Sequence, residues 1–301
     1  MTIVEAYTVC RQIAKREAKN FYYSFRVLPE HKRNAMCAVY AFMRRADDIS
    51  DDESLPVAER RDVMARWLDA WRAARRSEVS DDPVFVALND TQRRFAIPDE
   101  LLEDLVRGTT MDLEPRAQGE SEVQTFATFD ELYRYCYLVA SVVGLVCIRI
   151  FGYTDPQAEK LAEETGIAFQ LTNILRDVKE DAERRRIYLP LDLLNEFGIS
   201  VDRIRMLANG AAIQGREREM LRKLGARAEE YYASAGKLLP LIDADSRAAL
   251  WVLVTIYHGL LKKISMADSD VFTSRISVST PAKLSILARG ALMTLRNRVA
   301  S

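Results

Sequence analysis

An all-α fold in a single domain is what this sequence predicts, and three observations carry the expectation. Apolar residues recur at helical spacing from end to end of the 301-residue chain, with few of the alternating runs that mark strands. Only 12 Gly and 9 Pro occur, too few for a chain built of turns. Pro29, Pro56, Pro98, Pro156 and Pro281 each fall near a predicted helix start, where a missing backbone N–H costs least.

In chain order the periodicity predicts helices at about 3–18, 30–50, 57–76, 83–95, 98–113, 128–152, 156–182, 199–207, 212–238, 244–266 and 280–298. No Gly, Ser or Pro-rich linker, internal repeat or low-complexity tract divides them, so residues 1–301 read as one domain. The most apolar stretch, Tyr137 to Phe151, is shorter than the roughly 20 residues a spanning helix needs and contains Arg149, and it reads as a core helix.

Apolar residues make up 49% and charged residues 29%, the composition of an ordinary globular protein. A formal net charge of -1 argues against nucleic-acid binding through bulk positive charge, so local clusters must carry any charge-based function. Cys10, Cys37, Cys136 and Cys147 lack the close spacing of a metal knuckle or redox pair, and the first residues lack a secretory pattern. A reduced, cytoplasmic protein without a transmembrane anchor is the expectation.

Residues Ala46 to Glu53 read ADDISDDE, which ends an otherwise apolar helix in four aspartates. Asp47 and Asp51 lie one turn apart on one face with Asp48 and Asp52 beside them, and Tyr40 and Arg44 continue that face backwards. Carboxylates gathered at a helix C-terminus oppose the macrodipole and repel one another, so they call for a counter-ion. A solvated helix end would explain this cluster if it stood alone.

A second cluster changes the balance. In the segment Gly166 to Pro190, Gln170, Asn173, Asp177, Asp181 and Arg184 recur every three or four residues as one stripe, while Ile167, Leu171, Ile174, Leu175 and Val178 form the apolar side. An amide and two carboxylates one turn apart suit Mg²⁺, an oxygen-seeking ion that bridges to substrate phosphates. Zinc is disfavoured, because His31 and His258 are the only histidines. Arg176, Arg184, Arg185 and Arg186 flank the stripe with the side chain best matched to phosphate oxygens. Carboxylates and arginines together point to a polyanionic ligand that arrives with a divalent cation.

Three segments resemble the squalene and phytoene synthase family, the head-to-head isoprenyl diphosphate synthases: Asn20 to Asp52, Tyr135 to Gly144 and Gln170 to Asp181. The resemblance implies an isoprenoid synthase-type helical bundle in which both clusters flank the mouth of a central apolar cavity. It implies Asp47, Asp48, Asp51, Asn173, Asp177 and Asp181 as metal ligands, with Asp47, Asp51, Asp177 and Asp181 catalytic through the metal. Tyr135 is implied to steer carbocations. Asn20, Phe21, Tyr40, Arg44, Gln170, Arg176, Arg186, Tyr188 and Arg275 are implied substrate-binding residues, although Asn20 stands where relatives carry Ser. Gly108 to Leu113 is also similar to a family segment, without an assigned chemistry.

The cofactor implied is Mg²⁺, with Mn²⁺ as its substitute; NADPH use is left open, since family members that use it lack a GxGxxG fingerprint. The expected substrates are isoprenyl diphosphates, most closely two farnesyl diphosphates giving presqualene diphosphate, as in bacterial hopanoid pathways, with onward conversion to squalene left open. Phytoene synthesis from two geranylgeranyl diphosphates is the alternative. Phe25 would shorten a cavity that it lined, whereas a small Cys37 would deepen one. Further expectations are transient contact with the inner membrane surface and hand-over to downstream pathway enzymes. From the residues alone, a non-catalytic metal-binding scaffold and a terpene cyclase or chain-elongating synthase compete with this reading.

Overall fold

The computed structural model describes residues 1–18, 22, 24–77, 80–113 and 123–300, with the backbone alone at 77, 112 and 295–300. Within them lie the helices α1 (Ile3–Glu17), α2 (Glu30–Ser50), α3 (Val57–Ser77), α4 (Pro83–Arg94), α5 (Asp99–Thr110) and α6 (Phe129–Phe151). They continue with α7 (Gln157–Glu183), α8 (Leu191–Glu196), α9 (Val201–Ala208), α10 (Gly215–Leu238), α11 (Arg247–Met266) and α12 (Thr280–Ala300). Isolated bridges join Gln124 to Arg186 and Tyr153 to Ile242, and no strand occurs among the described residues.

Most helix starts follow from local chemistry. The Thr2 hydroxyl accepts from the Glu5 N–H while Glu5 reaches back, a reciprocal cap on α1. Asp82 caps α4 just before Pro83, Thr128 caps α6 and Ser200 caps α9. Pro29, Pro98 and Pro156 occupy the capping positions of α2, α5 and α7. Three local features depart from the periodicity. The helix expected over 98–113 ends at Thr110 and tightens into a 3₁₀ turn, Met111–Leu113. The short α8, started after Pro190, spans six residues, too few to give a periodic signal. The helix over 129–151 contains a π turn at Tyr137–Ser141, where one residue more is fitted into the winding.

That π turn is where three helices meet most closely. A Cβ on Gly108 of α5 would stand 2.6 Å from the Leu138 carbonyl oxygen, and one on Gly166 of α7 would stand 2.5 Å from the Ser141 Cα. Only glycine admits backbones this near. The Gly108 segment left without a chemistry above therefore serves packing.

These contacts also fix direction. Gly166 lies against Ser141 and Gly144 against Ala162, so α6 and α7 run antiparallel. Lys32, at the start of α2, donates to the Phe151 carbonyl at the end of α6 (2.7 Å), and Ser50, at the end of α2, donates to Thr109 beside the Gly108–Leu138 contact (3.0 Å). Hence α2 is also antiparallel to α6, and α2 and α7 run parallel to each other.

Helix α7 is buried on several sides, with α6, α9, α10 and α11 around it. One apolar core joins α1, α2, α4, α5 and α6; a second joins α7, α9, α10 and α11; Tyr137 and Val254 touch both. Among the described residues only α6 is long and apolar enough to cross a membrane. Here its Val142, Val146, Ile148, Ile150 and Phe151 are buried in the first core. Replacing Gly166 by Ala should force α6 and α7 apart and cost about 1–3 kcal/mol of stability. Chemical denaturation would show this as a lower midpoint with an unchanged slope.

Candidate active site

Between α2, α6, α7 and α11 lies a cavity of about 260 Å³. Met36, Val39, Tyr40 and Met43 of α2 form one wall; Val139, Val143, Cys147 and Phe151 of α6 form another. From α7 come Phe169, Gln170 and Asn173, and from α11 Leu250, Leu253 and Tyr257. The walls are almost wholly apolar, and the exceptions concentrate toward the C-terminal halves of α2 and α7.

Because α2 and α7 are parallel, the turns that follow these lining residues emerge at the same end. Asp47 comes one turn after Met43, and Asp177 and Asp181 come one and two turns after Asn173. The two acidic clusters, some 130 residues apart in sequence, thus share one mouth. This is the arrangement the sequence motifs require and could not themselves establish.

Electrostatics mark both clusters. Burial, and then the neighbouring Asp51 carboxylate, push Asp47 up to about 6 against the pull of Arg44. Asp181 is pushed up to about 7 by burial and then by Asp177, with Arg186 and Arg184 pulling back. In each cluster burial, with a neighbouring carboxylate second, holds one carboxyl well above the ordinary carboxylate range. Asn173 offers a neutral oxygen: its amide nitrogen lies 3.4 Å from Gln170 Oε1 and its side chain is hydrogen-bonded to Tyr257, while its Oδ1 is buried without a partner. A buried amide oxygen without a donor, one turn before the Asp177 carboxylate, is a donor set that fits Mg²⁺.

Among the described residues, no three His, Cys, Asp or Glu side chains already converge as a cage. Arginines hold the carboxylates instead. Arg44 pairs with Asp48 at 2.6 Å. Arg176 grips both oxygens of Asp177, Arg275 reaches the same carboxylate at 2.8 Å, and Arg275 also lies 3.4 Å from Glu180. Such guanidinium groups can exchange a carboxylate for a phosphate once a cation takes the carboxylate.

The remaining sequence-predicted residues divide. Tyr40 and Gln170 line the cavity; Asp51, exposed, follows Asp47 by one turn. Arg186 and Tyr188 stand just beyond α7, with Arg186 N–H donating to the Asp181 carbonyl at 2.8 Å. Tyr135, the residue expected to steer carbocations, lies outside the cavity lining. It sits one turn before Val139, toward the acidic end, and stacks on Tyr188 (4.9 Å between ring centres) and Phe126 (5.2 Å) instead of lining the wall. Cys37 is likewise buried in the core of α1 and α2, because Met36 and Val39 take the cavity side of α2. Phe25 does line the cavity. Asn20 and Phe21 lie outside the described residues.

Tyr257 and Phe169 were not foreseen. Their rings stack at 4.5 Å in the wall, with Tyr257 on Asn173. Each sits in an apolar helix, where an aromatic residue reads as core; only the partner helix reveals the cavity.

Residues 14–282 match the family model described as squalene/phytoene synthase. A phytoene synthase of Mycobacterium tuberculosis is 37% identical over 289 residues, covering 95% of this chain and 90% of the relative. A 15-cis-phytoene synthase of Synechococcus elongatus is 37% identical over 302 residues, covering 94% and 91%. In structure, a dehydrosqualene synthase crystallised with a ligand superimposes with a TM-score of 0.81 at 28% identity, covering 98% of both chains. Squalene synthase HpnC from Alicyclobacillus acidocaldarius, at 24% identity and a TM-score of 0.78, shares the fold over 88% of this chain and 95% of its own. With matches over nearly its whole length and two acidic helix ends at the mouth of an apolar cavity, the chain belongs to the squalene/phytoene synthase family of prenyltransferases, which condense prenyl diphosphates head to head.

Proposed function

We propose that this enzyme joins two farnesyl diphosphates into presqualene diphosphate, with the acidic mouth as the diphosphate site and the apolar cavity holding the tails. The observation that carries the reading is the parallel placement of α2 and α7, which opens two aspartate clusters onto one dry pocket. Asp47, Asp51, Asn173, Asp177 and Asp181 would hold Mg²⁺, with Asp48 released from Arg44 as a further ligand. Bound there, the ion supplies electrophilic pull on the diphosphate oxygens and neutralises the carboxylates.

Arg44, Arg176, Arg186 and Arg275 orient the diphosphates from the rim. Heterolysis of the C–O bond of one substrate leaves an allylic cation and free diphosphate. The double bond of the second substrate attacks, and loss of a proton to the departing diphosphate closes the cyclopropane. Tyr40 and Phe169, in the cavity wall, offer ring faces to the cation at about 1–2 kcal/mol each where water is excluded. The apolar walls protect it from quenching. Tyr135, a phenol stacked between other rings, acts as part of the aromatic rim rather than as a base.

For tail length, Phe25 and Phe151 place two rings in the wall of a cavity of about 260 Å³, which favours the shorter farnesyl chain. The structural likeness to a dehydrosqualene synthase points the same way. A second reading, geranylgeranyl diphosphate converted toward phytoene, is favoured by the names of the curated relatives. Mass spectrometry of products from farnesyl and geranylgeranyl diphosphate, supplied separately with and without NADPH, decides between them. A cyclopropyl C30 diphosphate is expected from farnesyl diphosphate, and turnover of the longer substrate alone would reverse the assignment.

Phe25→Ala should enlarge the pocket and raise the relative kcat/KM for geranylgeranyl diphosphate at least about tenfold, a shift of about 1.4 kcal/mol. Asp47→Asn and Asp177→Asn should each lower turnover by at least about a thousandfold with the helical circular dichroism retained. Near-normal rates in both would remove the metal role from these residues. Stability should also respond to pH. Since Asp47 and Asp181 have folded values above the ordinary carboxylate range, the metal-free fold binds more protons than the unfolded chain between about pH 4 and 7, and these groups lower its stability as pH rises through that window. Mg²⁺ binds the ionised forms, so its effect on Tm should be larger at about pH 8 than at about pH 5. An equal effect at both would contradict the assignment.

A further inference from the structure

Residues 267–279, between α11 and α12, form no helix, yet they are held at several points. The turn out of α11 places Asp268 and Ser269 at φ of 53° and 57°, both in the left-handed region. Two successive non-glycine residues there are sterically unfavourable, and such a turn persists only where its surroundings fix it. Part of the fixing is local. The Ser269 N–H donates to the Ile264 carbonyl at 3.0 Å, and Val271 and Phe272 are buried in the core around α7. Asp270 Oδ1 accepts from the Thr273 N–H and Oδ2 from the Thr273 hydroxyl, both at 3.0 Å.

The rest comes from α10. Arg218 donates to the Asp268 carbonyl at 3.1 Å, and its guanidinium lies 3.3 Å from the Asp268 carboxylate and 3.6 Å from that of Asp270. Arg222, one turn on, donates to the Asp268 carboxylate at 3.0 Å. On the far side, the Lys263 ammonium donates to the Ser277 carbonyl at 3.1 Å. Between these anchors stands Arg275, which reaches across to Asp177 at 2.8 Å and lies 3.4 Å from Glu180. Its side chain is 59% exposed, and exposed ion pairs hold a long, rotamer-rich side chain weakly. The place of the guanidinium therefore depends on where the backbone delivers it.

We infer that Arg218 is a positioning residue for diphosphate: through Asp268 and Asp270 it sets the segment from which Arg275 reaches the mouth. Arg218 itself stands on α10, outside the cavity lining. The inference rests on Arg275 as a diphosphate group of the rim, as proposed above. If Arg218 only added stability, its loss would lower the unfolding midpoint and leave ligand affinity alone.

Calorimetric titration of the full-length enzyme with inorganic diphosphate in the presence of Mg²⁺ tests this, since that probe is common to both prenyl substrates. Arg275→Ala should weaken binding at least about tenfold, and Arg218→Ala about three- to tenfold. The double variant should bind no more weakly than Arg275→Ala, because Arg218 acts through Arg275. Arg218→Lys, which keeps donors and charge facing Asp268, should recover most of the loss. Unchanged binding by Arg218→Ala, or losses that multiply in the double variant, would overturn the inference. Where Arg218→Ala loses its helical circular dichroism, Asp268→Asn takes its place, because asparagine tolerates the left-handed turn and removes the carboxylate. It should weaken binding at least about twofold with Arg275 present and not at all in Arg275→Ala. Equal losses in the two backgrounds would overturn the inference as well. Wild-type affinity in Arg275→Ala, or no binding by the wild type, strikes the proposed diphosphate site and this inference together, whereas multiplying losses strike this inference alone.

Discussion

The constraint on which the rest of this structure depends is electrostatic: carboxylates from two helices are drawn into a partly buried space with too little positive charge to balance them. Burial and mutual repulsion leave Asp47 and Asp181 reluctant to ionise, and the guanidinium groups of Arg44, Arg176 and Arg275 compensate only in part. A chain selected for stability alone would place such groups in water. Holding them beside an apolar cavity makes sense when a cation and a polyanion complete the charge balance during the reaction.

The same constraint explains the role of the helix directions. Both aspartate motifs stand near helix C-termini, so they share a mouth only if their helices are parallel. Parallel neighbours need something antiparallel between them, and α6 supplies it, tied to the start of α2 through Lys32 and to α7 through Gly166. The glycines at the π turn let α5, α6 and α7 approach closely enough to seal the cavity at that level, while Phe151 and Leu250 contribute to its wall farther along. Charge demands the geometry, and close backbone packing provides it.

Arginine has a double part in this scheme. Its planar fork pairs with Asp48 through Arg44 and with Asp177 through Arg176 and Arg275, and the same donor geometry matches phosphate oxygens.

Periodicity and punctuation determined the all-α class and placed the long helices from sequence alone, because side-chain spacing and proline act locally. The two aspartate stripes were legible for the same reason: each lies within one helix, where spacing is geometry. Local patterns were silent about relations between helices. That α2 and α7 are parallel, that Tyr257 supports Asn173, that Tyr135 stacks on Tyr188 and that Cys37 turns into the core all depend on which faces meet, and that depends on packing between residues distant in sequence. The short α8 and the π turn at Tyr137–Ser141 escaped for a related reason, since six residues carry too little periodicity and a π turn is stabilised by the neighbours clamped against it. Sequence thus determined which chemical groups each helix carries; the tertiary structure decided which of them share a cavity, because only there do long-range contacts compete.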